Sequence, residues 1–363
     1  MNYNVTLITI YQINQYQKFK KMIKVSDFYN KYFYVFSDCF VTNGAKQLSI
    51  LDTSKGKIYF MNSDYYYLFE LMEKEKVGDI ILSLNSSIDV KYFCLFIQKL
   101  IDLNVGIFVD DISLFPPISK KWEVPSLITN SIVDIRDIFH DFDQISNELN
   151  KCRCKHVQIR AFDFLEICKI NNIILSFKEK SFLSVEFIIK YIEEDQYLKK
   201  VEDLAKKNTF TLFTLYGAPE DRVKNDKMKR IKIVLENFNS HECCGKINKE
   251  YYIKPNIQSF MENYLYNGCL NKKISIDEKG EIKNCPSMKK SFGNISNSSI
   301  LQIAKDEEFQ SLWNINKRQI KVCKDCEYRC ICTDCRAFLS DNNDIFSKPA
   351  NCFYDPYNLK WNN

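Results

Sequence analysis

Ten of the chain's fifteen cysteines fall after residue 240, and their spacing is the strongest chemical signal in its 363 residues. Two residues separate Cys323 from Cys326, and two more separate Cys332 from Cys335. A pair spaced this way reaches one metal centre from a single turn. Thiolates are soft ligands that suit iron–sulfur clusters and zinc. Closing a four-cysteine site also takes ligands from distant segments, and Cys244, Cys269, Cys285 and Cys352 are placed to supply them. Cys243 is a rival to Cys244, and Cys330 a rival to Cys332. Between Cys269 and Cys285 the run NKKISIDEKGEIKN alternates as strand, turn and strand, with Gly280 in the turn. That hairpin brings Cys269 and Cys285 close together.

Zinc is the alternative metal, because pairs of the C-x2-C kind bind it readily. Only five residues lie between Cys326 and Cys332, far fewer than between the pairs of a usual zinc ribbon. His140, His156 and His241 are the only histidines, so a histidine-based site has little material to draw on. Cys39, Cys94, Cys152, Cys154 and Cys168 sit in or beside apolar segments and read as buried small hydrophobes.

A dense thiol cluster is read as metal ligation where thiols stay reduced, and the chain is expected in the cytoplasm. Its opening, MNYNVTLITIYQINQYQKFKK, places the charges after an apolar stretch that is too polar for a secretory core. No apolar run reaches transmembrane length, so no membrane partner is expected. The net charge of +5 is weak, and no basic stripe is interleaved with aromatics, which argues against nucleic acid. Disulfides are disfavoured in the same reducing compartment.

The elements that must position the cysteines divide the chain into four stretches. Residues 1–112 form a first unit, in which VTLITIYQI reads as a strand and 16–32 as a short helix. QLSILD and KIYFMN then read as strands joined by the turn TSKG. DYYYLFELMEK, KVGDIILSL and SIDVKYFCLFIQKLIDL follow as helices, and this order suits a small winged helix. Residues 113–125 hold three prolines and read as a linker. Residues 126–240 alternate strand and helix, with about four strands visible, and imply a parallel sheet or degenerate partial barrel. No glycine-rich phosphate loop follows any strand. Residues 241–363 hold the cysteine module.

Residues 33–112 resemble the PqqD-like peptide-recognition element of systems that modify ribosomally made peptides, on the pattern strand, Asp, turn, strand, helix, DV-x3-F-x2-F. The resemblance implies that a peptide adds as an extra strand at a sheet edge. The cysteine pattern C-x10-G-x4-C, gap, C-x2-C-x5-C, C, gap, C is similar to the SPASM domain, the twin-cluster extension of many radical-SAM peptide maturases. SFGNI and ILQIAKDEEFQSLW sit where that family has its connecting segment. The resemblance implies two 4Fe-4S clusters, one on Cys244, Cys269, Cys285 and Cys335, the other on Cys323, Cys326, Cys332 and Cys352. It departs from the family at Cys332-x2-Cys335, where three intervening residues are more usual.

A radical-SAM enzyme needs a third cluster on C-x3-C-x2-C after its first barrel strand. The corresponding stretch here, LITNSIVDIRDIF, has no cysteine, and HVQIRAFDF stands where a Gly-Gly-Glu-type segment is expected. S-adenosylmethionine is therefore not expected. The combination resembles the SPASM-domain peptide maturases of grasp-with-spasm systems, on CLNKKISIDEKGEIKNCPSM and CKDCEYRCICTDCRA. That resemblance implies an α/β iron–sulfur protein that assists maturation of a ribosomal peptide, with the precursor leader and an ATP-grasp ligase as partners. The residues assign no catalytic group. A zinc- or cluster-stapled adaptor and a redox enzyme acting through its clusters are the alternatives.

Overall fold

The computed structural model describes residues 25–137, 139–223, 230–243, 247 and 254–362, with the backbone alone at Val25, Ser26, Arg222, Val223 and Cys243. The strand expected in VTLITIYQI lies outside these residues. The described end of the helix expected over 16–32 is a 3-10 turn, Val25–Phe28, and Tyr32 already begins a strand.

The N-terminal unit runs β1 (Tyr32–Val35), β2 (Cys39–Asn43), β3 (Gln47–Asp52), β4 (Lys57–Asn62), α1 (Tyr66–Met72), α2 (Val77–Ser83), α3 (Ser87–Asp102) and β5 (Gly106–Val109). The expected hairpin is β3–β4, turning where Gly56 takes φ 61°. Two strands are additional. β2 pairs antiparallel with β3 and turns the hairpin into a three-stranded meander, while β1 pairs with β5 in a separate ribbon. Asn43 and Gly44, both turn formers, cut β2 to five residues, too short for its alternation to stand out.

β3 is buried on both faces. Leu48 and Ile50 pack under Phe93, Phe96, Ile97 and Leu100, the apolar stripe of α3. That stripe recurs at three- and four-residue intervals, the spacing of one helix face. The helix starts at Ser86, whose hydroxyl accepts from the Asp89 N–H. On the other side, Leu51 joins Phe40, Phe60, Phe260, Tyr328 and Ile331 in a second apolar cluster. The N-terminal sheet is thus packed directly on the cysteine-rich segment.

The central unit is β6 (Asn130–Ile135), α4 (Phe142–Lys151), β7 (His156–Ala161), α5 (Ile167–Phe177), β8 (Ser184–Lys190), α6 (Asp195–Lys207), β9 (Thr211–Tyr216), β10 (Arg222–Val223) and β11 (Ile231–Val234). The remainder carries α7 (Ile257–Leu265), β12 (Lys273–Ile276), β13 (Ile282–Lys283), α8 (Ile300–Ile303), α9 (Glu307–Gln310), β14 (Tyr354–Asp355) and β15 (Lys360–Trp361). Eight strands form one sheet in the order β10-β11-β9-β8-β7-β6-β12-β13. Six of them, β11 through β12 in that order, run parallel, and β10 and β13 close the edges antiparallel. The protein is therefore mixed α/β with a parallel sheet. It has two more parallel strands than the four visible in the sequence. One is β11, in the segment that closes the alternating series, and the other is β12, from the cysteine hairpin.

Strand parity sorts the sheet's faces. Val133, Ile135, Val157, Ile159, Val185, Phe187, Phe213, Leu215, Ile274 and Ile276 share one core with the apolar faces of α4, α5 and α6. Alternate positions put Asp134, Gln158, Arg160, Glu186 and Thr214 on the opposite face. There Arg160 donates twice to Asp134 at 2.7 Å, and Gln158 and Thr214 both donate to Glu186. Asp134 and Arg160 are buried, and burial holds the Asp134 carboxyl above its usual range despite Arg160. Removing one partner strands the other charge, so Arg160→Met is expected to cost about 3–5 kcal/mol. Urea midpoints of the metal-loaded chain measure this, and a midpoint equal to wild type would show that the pair is not what holds β6 to β7.

Candidate metal centre

The segment after α9 positions the tight cysteine group with almost no regular structure. Val322 takes φ 66°, a left-handed conformation that costs a β-branched residue on the order of 1–3 kcal/mol. It opens a 3-10 turn, Cys323–Asp325, in which the Cys326 N–H donates to the Cys323 carbonyl at 3.1 Å. The chain then turns back, with the Cys332 N–H donating to the Tyr328 carbonyl. A bridge between Leu339 and Pro349 returns the chain, and the Cys352 N–H donates to the Pro349 carbonyl.

These turns bring Cys323, Cys326, Cys332 and Cys352 into one electrostatic neighbourhood. Burial raises the thiols of Cys323, Cys326 and Cys332, Cys332 to about 11, and each feels others of the group. Lys317, 4% exposed, stands among them. Its ammonium is 3.9 Å from Cys323 Sγ and 3.2 Å from Asp334 Oδ1. Asp334 also accepts from Arg336 and, at 2.7 Å, from Asn267. Arg336 is held in turn by the carbonyls of Ile345 and Ser347.

A second group forms around the β12–β13 hairpin, whose turn uses Gly280 at φ 84°. Cys285 follows β13 and is buried beside Cys335, whose thiol is raised by burial first and by Cys285 among its neighbours. Cys269 precedes β12, and the Lys273 ammonium lies 3.8 Å from its sulfur. The Asn267 side-chain oxygen accepts from the N–H groups of Cys269 and Leu270, while its amide reaches Asp334. Asn267 therefore spans the two groups.

Cys330 is set apart by its polar surroundings. It lies in the apolar cluster with Phe40, Leu51 and Phe60, against which Cys326, Cys332 and Cys352 also pack, but its thiol is raised by burial and interacts with Arg329, Thr42, Arg318 and Lys120. Cys243 ends a 3-10 turn, His241–Cys243, and Cys244 lies outside the described residues. Cys39, Cys152 and Cys154 are buried as expected and Cys94 is partly covered. Cys168 is not a buried hydrophobe: it is exposed, with its sulfur 3.3 Å from a Glu166 carboxylate oxygen. One turn of exposed helix face is enough to reverse an assignment made from flanking apolar residues.

Among the described residues, no three ligand-type side chains already converge as a bound ion would hold them. The loops gather the thiols without completing a shell. The donor chemistry nevertheless fits a cluster with thiolate ligands. The groups are soft sulfurs, and a buried ammonium touches a sulfur in each. A cation bound there would reverse the effect of burial and deprotonate the thiols.

Residues 269–327 match the family model of SPASM, an iron-sulfur cluster-binding domain. Over that stretch the chain is similar to SPASM domains. The match takes in Cys269, Cys285, Cys323 and Cys326, and stops short of Cys332, Cys335 and Cys352, which interact electrostatically with Cys323 or Cys285. Among solved structures, the chain is similar to Streptococcus suis SuiB bound to S-adenosylmethionine. The identity is 12%, with 88% of this chain and 99% of that chain covered, at a TM-score of 0.34. No curated protein matches the chain. No helix among the described residues is long and apolar enough to cross a membrane.

Sequence reasoning passed over Lys317, Lys273, Asp334, Arg336 and Asn267. Asp334 and Arg336 carry a usable signal, because charged residues flanking Cys335 in a buried cysteine run need partners. Nothing in the local sequence marks Lys317 or Lys273. Of the two rival cysteines in the tight run, Cys332→Ser is expected to lose iron and Cys330→Ser to keep the wild-type content. Iron and sulfide analysis of the purified variants checks this, and equal loss from both would reject the separation of Cys330 from the group.

Proposed function

We propose that this is an iron–sulfur protein of ribosomal-peptide maturation, with two 4Fe-4S clusters in its SPASM segment. One is held by Cys244, Cys269, Cys285 and Cys335, the other by Cys323, Cys326, Cys332 and Cys352. The observation that supports the reading is the match of residues 269–327 to an iron-sulfur cluster-binding domain, in a segment where two buried lysines each lie against a cysteine sulfur. When bound, such clusters supply electron transfer or structural support. The chain's own residues hold the thiols in place through the turn at Val322, the hairpin at Gly280 and the Asn267–Asp334 link.

The N-terminal unit is read as a winged-helix, PqqD-like element that takes the precursor leader, and the parallel sheet as a partial barrel. In the three-stranded sheet β2 and β4 are the outer strands, and an extended peptide adds to such an edge through backbone hydrogen bonds. What supports joining recognition to the clusters is the contact between the two units. Gln47 Nε2 donates to Glu327 at 2.6 Å, Ser49 Oγ donates to the Glu327 carbonyl, and the Ala45 N–H donates to the Asp325 carbonyl. A leader on this sheet would be held against the loop that carries Cys323 and Cys326. An ATP-grasp ligase is the proposed partner that forms the new bonds. No radical step is assigned to this chain, because the connection from β6 to α4 contains no cysteine.

Purified without oxygen, the chain is expected to be brown and to carry roughly eight irons with matching sulfide, the content of two such clusters. Colourless protein holding zinc alone would overturn the cluster part. Calorimetric titration with the leader encoded beside the gene is expected to give saturable binding, and a flat trace removes the recognition part.

A further inference from the structure

Lysine is almost never fully buried without a partner, because taking an ammonium out of water costs far more than a hydrophobic side chain gains. This chain buries two of them beside cysteines. Lys317 is 4% exposed and Lys273 is 7% exposed. Lys317 donates toward Cys323 Sγ at 3.9 Å, and Lys273 toward Cys269 Sγ at 3.8 Å. One belongs to each cysteine group.

Lys317 shares its carboxylate with a second cation. Lys317 and Arg336 both pair with Asp334, and all three are buried. Arg336 also feels Asp344, and of the two cations on Asp334 it is Lys317 whose ammonium reaches a cysteine sulfur. The Lys317 ammonium is directed at Cys323 Sγ, 3.9 Å away. Lys273 lies on the polar face of the sheet, in register with Asn130 at the start of β6. Its ammonium is turned toward the loop that carries Cys269.

We propose that Lys317 and Lys273 are the counter-ions of the two clusters and set their reduction potentials, each acting on one cluster. The proposal rests on the two-cluster reading. Reducing a cluster takes one electron from an external low-potential donor and adds one negative charge to the site. No proton need move, because the lysine keeps its three. A fixed ammonium at sulfur-contact distance favours the more negative, reduced form, and the low dielectric of a buried site strengthens this. Net charge and hydrogen bonds to sulfur are the features that tune such clusters. Lys317 and Lys273 are therefore positioning residues, and their effect is read in potential rather than in structure.

The test is an anaerobic dithionite titration of the full iron-loaded chain, followed by electron paramagnetic resonance. Lys317→Met is expected to lower one midpoint and leave the other in place, and Lys273→Met the reverse. Each shift should correspond to at least a tenfold loss in the reduction equilibrium, about 59 mV for one electron. Lys317→Arg and Lys273→Arg keep the charge and should recover most of it. Unchanged midpoints with iron retained would overturn the proposal. Loss of one site's iron from both Lys317→Met and Lys317→Gln would overturn it as well, by assigning that lysine to assembly. A wild-type chain that binds zinc and no iron fails earlier, before any lysine is changed, and takes the two-cluster reading with it.

Discussion

One carboxylate, Asp334, ties together several segments of the cysteine region. It is buried between Cys332 and Cys335 in sequence, and it accepts from Lys317, Arg336 and Asn267. Each of those partners is tied elsewhere: Lys317 to Cys323, Arg336 to the carbonyls of Ile345 and Ser347, and Asn267 to the backbone at Cys269 and Leu270. A buried charge persists only with partners, and so segments near 267, 317, 323 and 345 must come together for Asp334 to be there at all. The thiol groups are a consequence. Beyond the β12–β13 hairpin, the tight cysteine segment has little regular hydrogen bonding and takes its shape largely from ionic satisfaction.

A second buried carboxylate, Glu327, does the same between units. It is fully buried next to Cys326, and burial raises its carboxyl while Tyr354 and Gln47 hydrogen-bond it. Gln47 belongs to the N-terminal sheet and Tyr354 to the last hairpin. Gly44 lies so close that a Cβ there would stand 2.9 Å from the Glu327 nitrogen. Glycine is required at this point by proximity, not by an unusual φ. The polar contact and the apolar cluster around Leu51 and Tyr328 fix the N-terminal sheet against the cysteine loop from both sides of one strand.

The β3–β4 hairpin, the three N-terminal helices and the parallel strands β6 to β9 were legible because each declares itself locally. They alternate with period two or recur with the helical period, and Gly56 and Gly280 mark their turns. Partnership was not legible. β12 reads as half of a hairpin, and nothing within it announces a parallel pairing of Lys273–Ile276 with Asn130–Val133 across more than half the length of the central and C-terminal segments. Alternation defines a strand's faces but not its neighbour. The buried lysines fail for a related reason. A lysine in a polar stretch is ordinarily a solvated residue, and only the assembled surroundings of Lys317 and Lys273 make them otherwise.

The cysteine spacing and the sheet are one constraint seen twice. Cys269 and Cys285 flank β12–β13, so the C-x10-G-x4-C spacing is the length of a hairpin whose first strand is also a member of the parallel sheet. In that strand Ile274 and Ile276 face the core and are fully buried, while Lys273 and Ser275 face the other way. Side chains alternate strictly along a strand, so a one-residue shift in the β12–β13 register would take Ile282 off the core face. The cysteine spacing is therefore held by the hydrophobic core behind the sheet as much as by any metal. A cysteine pattern that looks like a ligand signature in the sequence is, in the folded chain, also the record of how far a hairpin must run to bring its second strand back to the sheet edge.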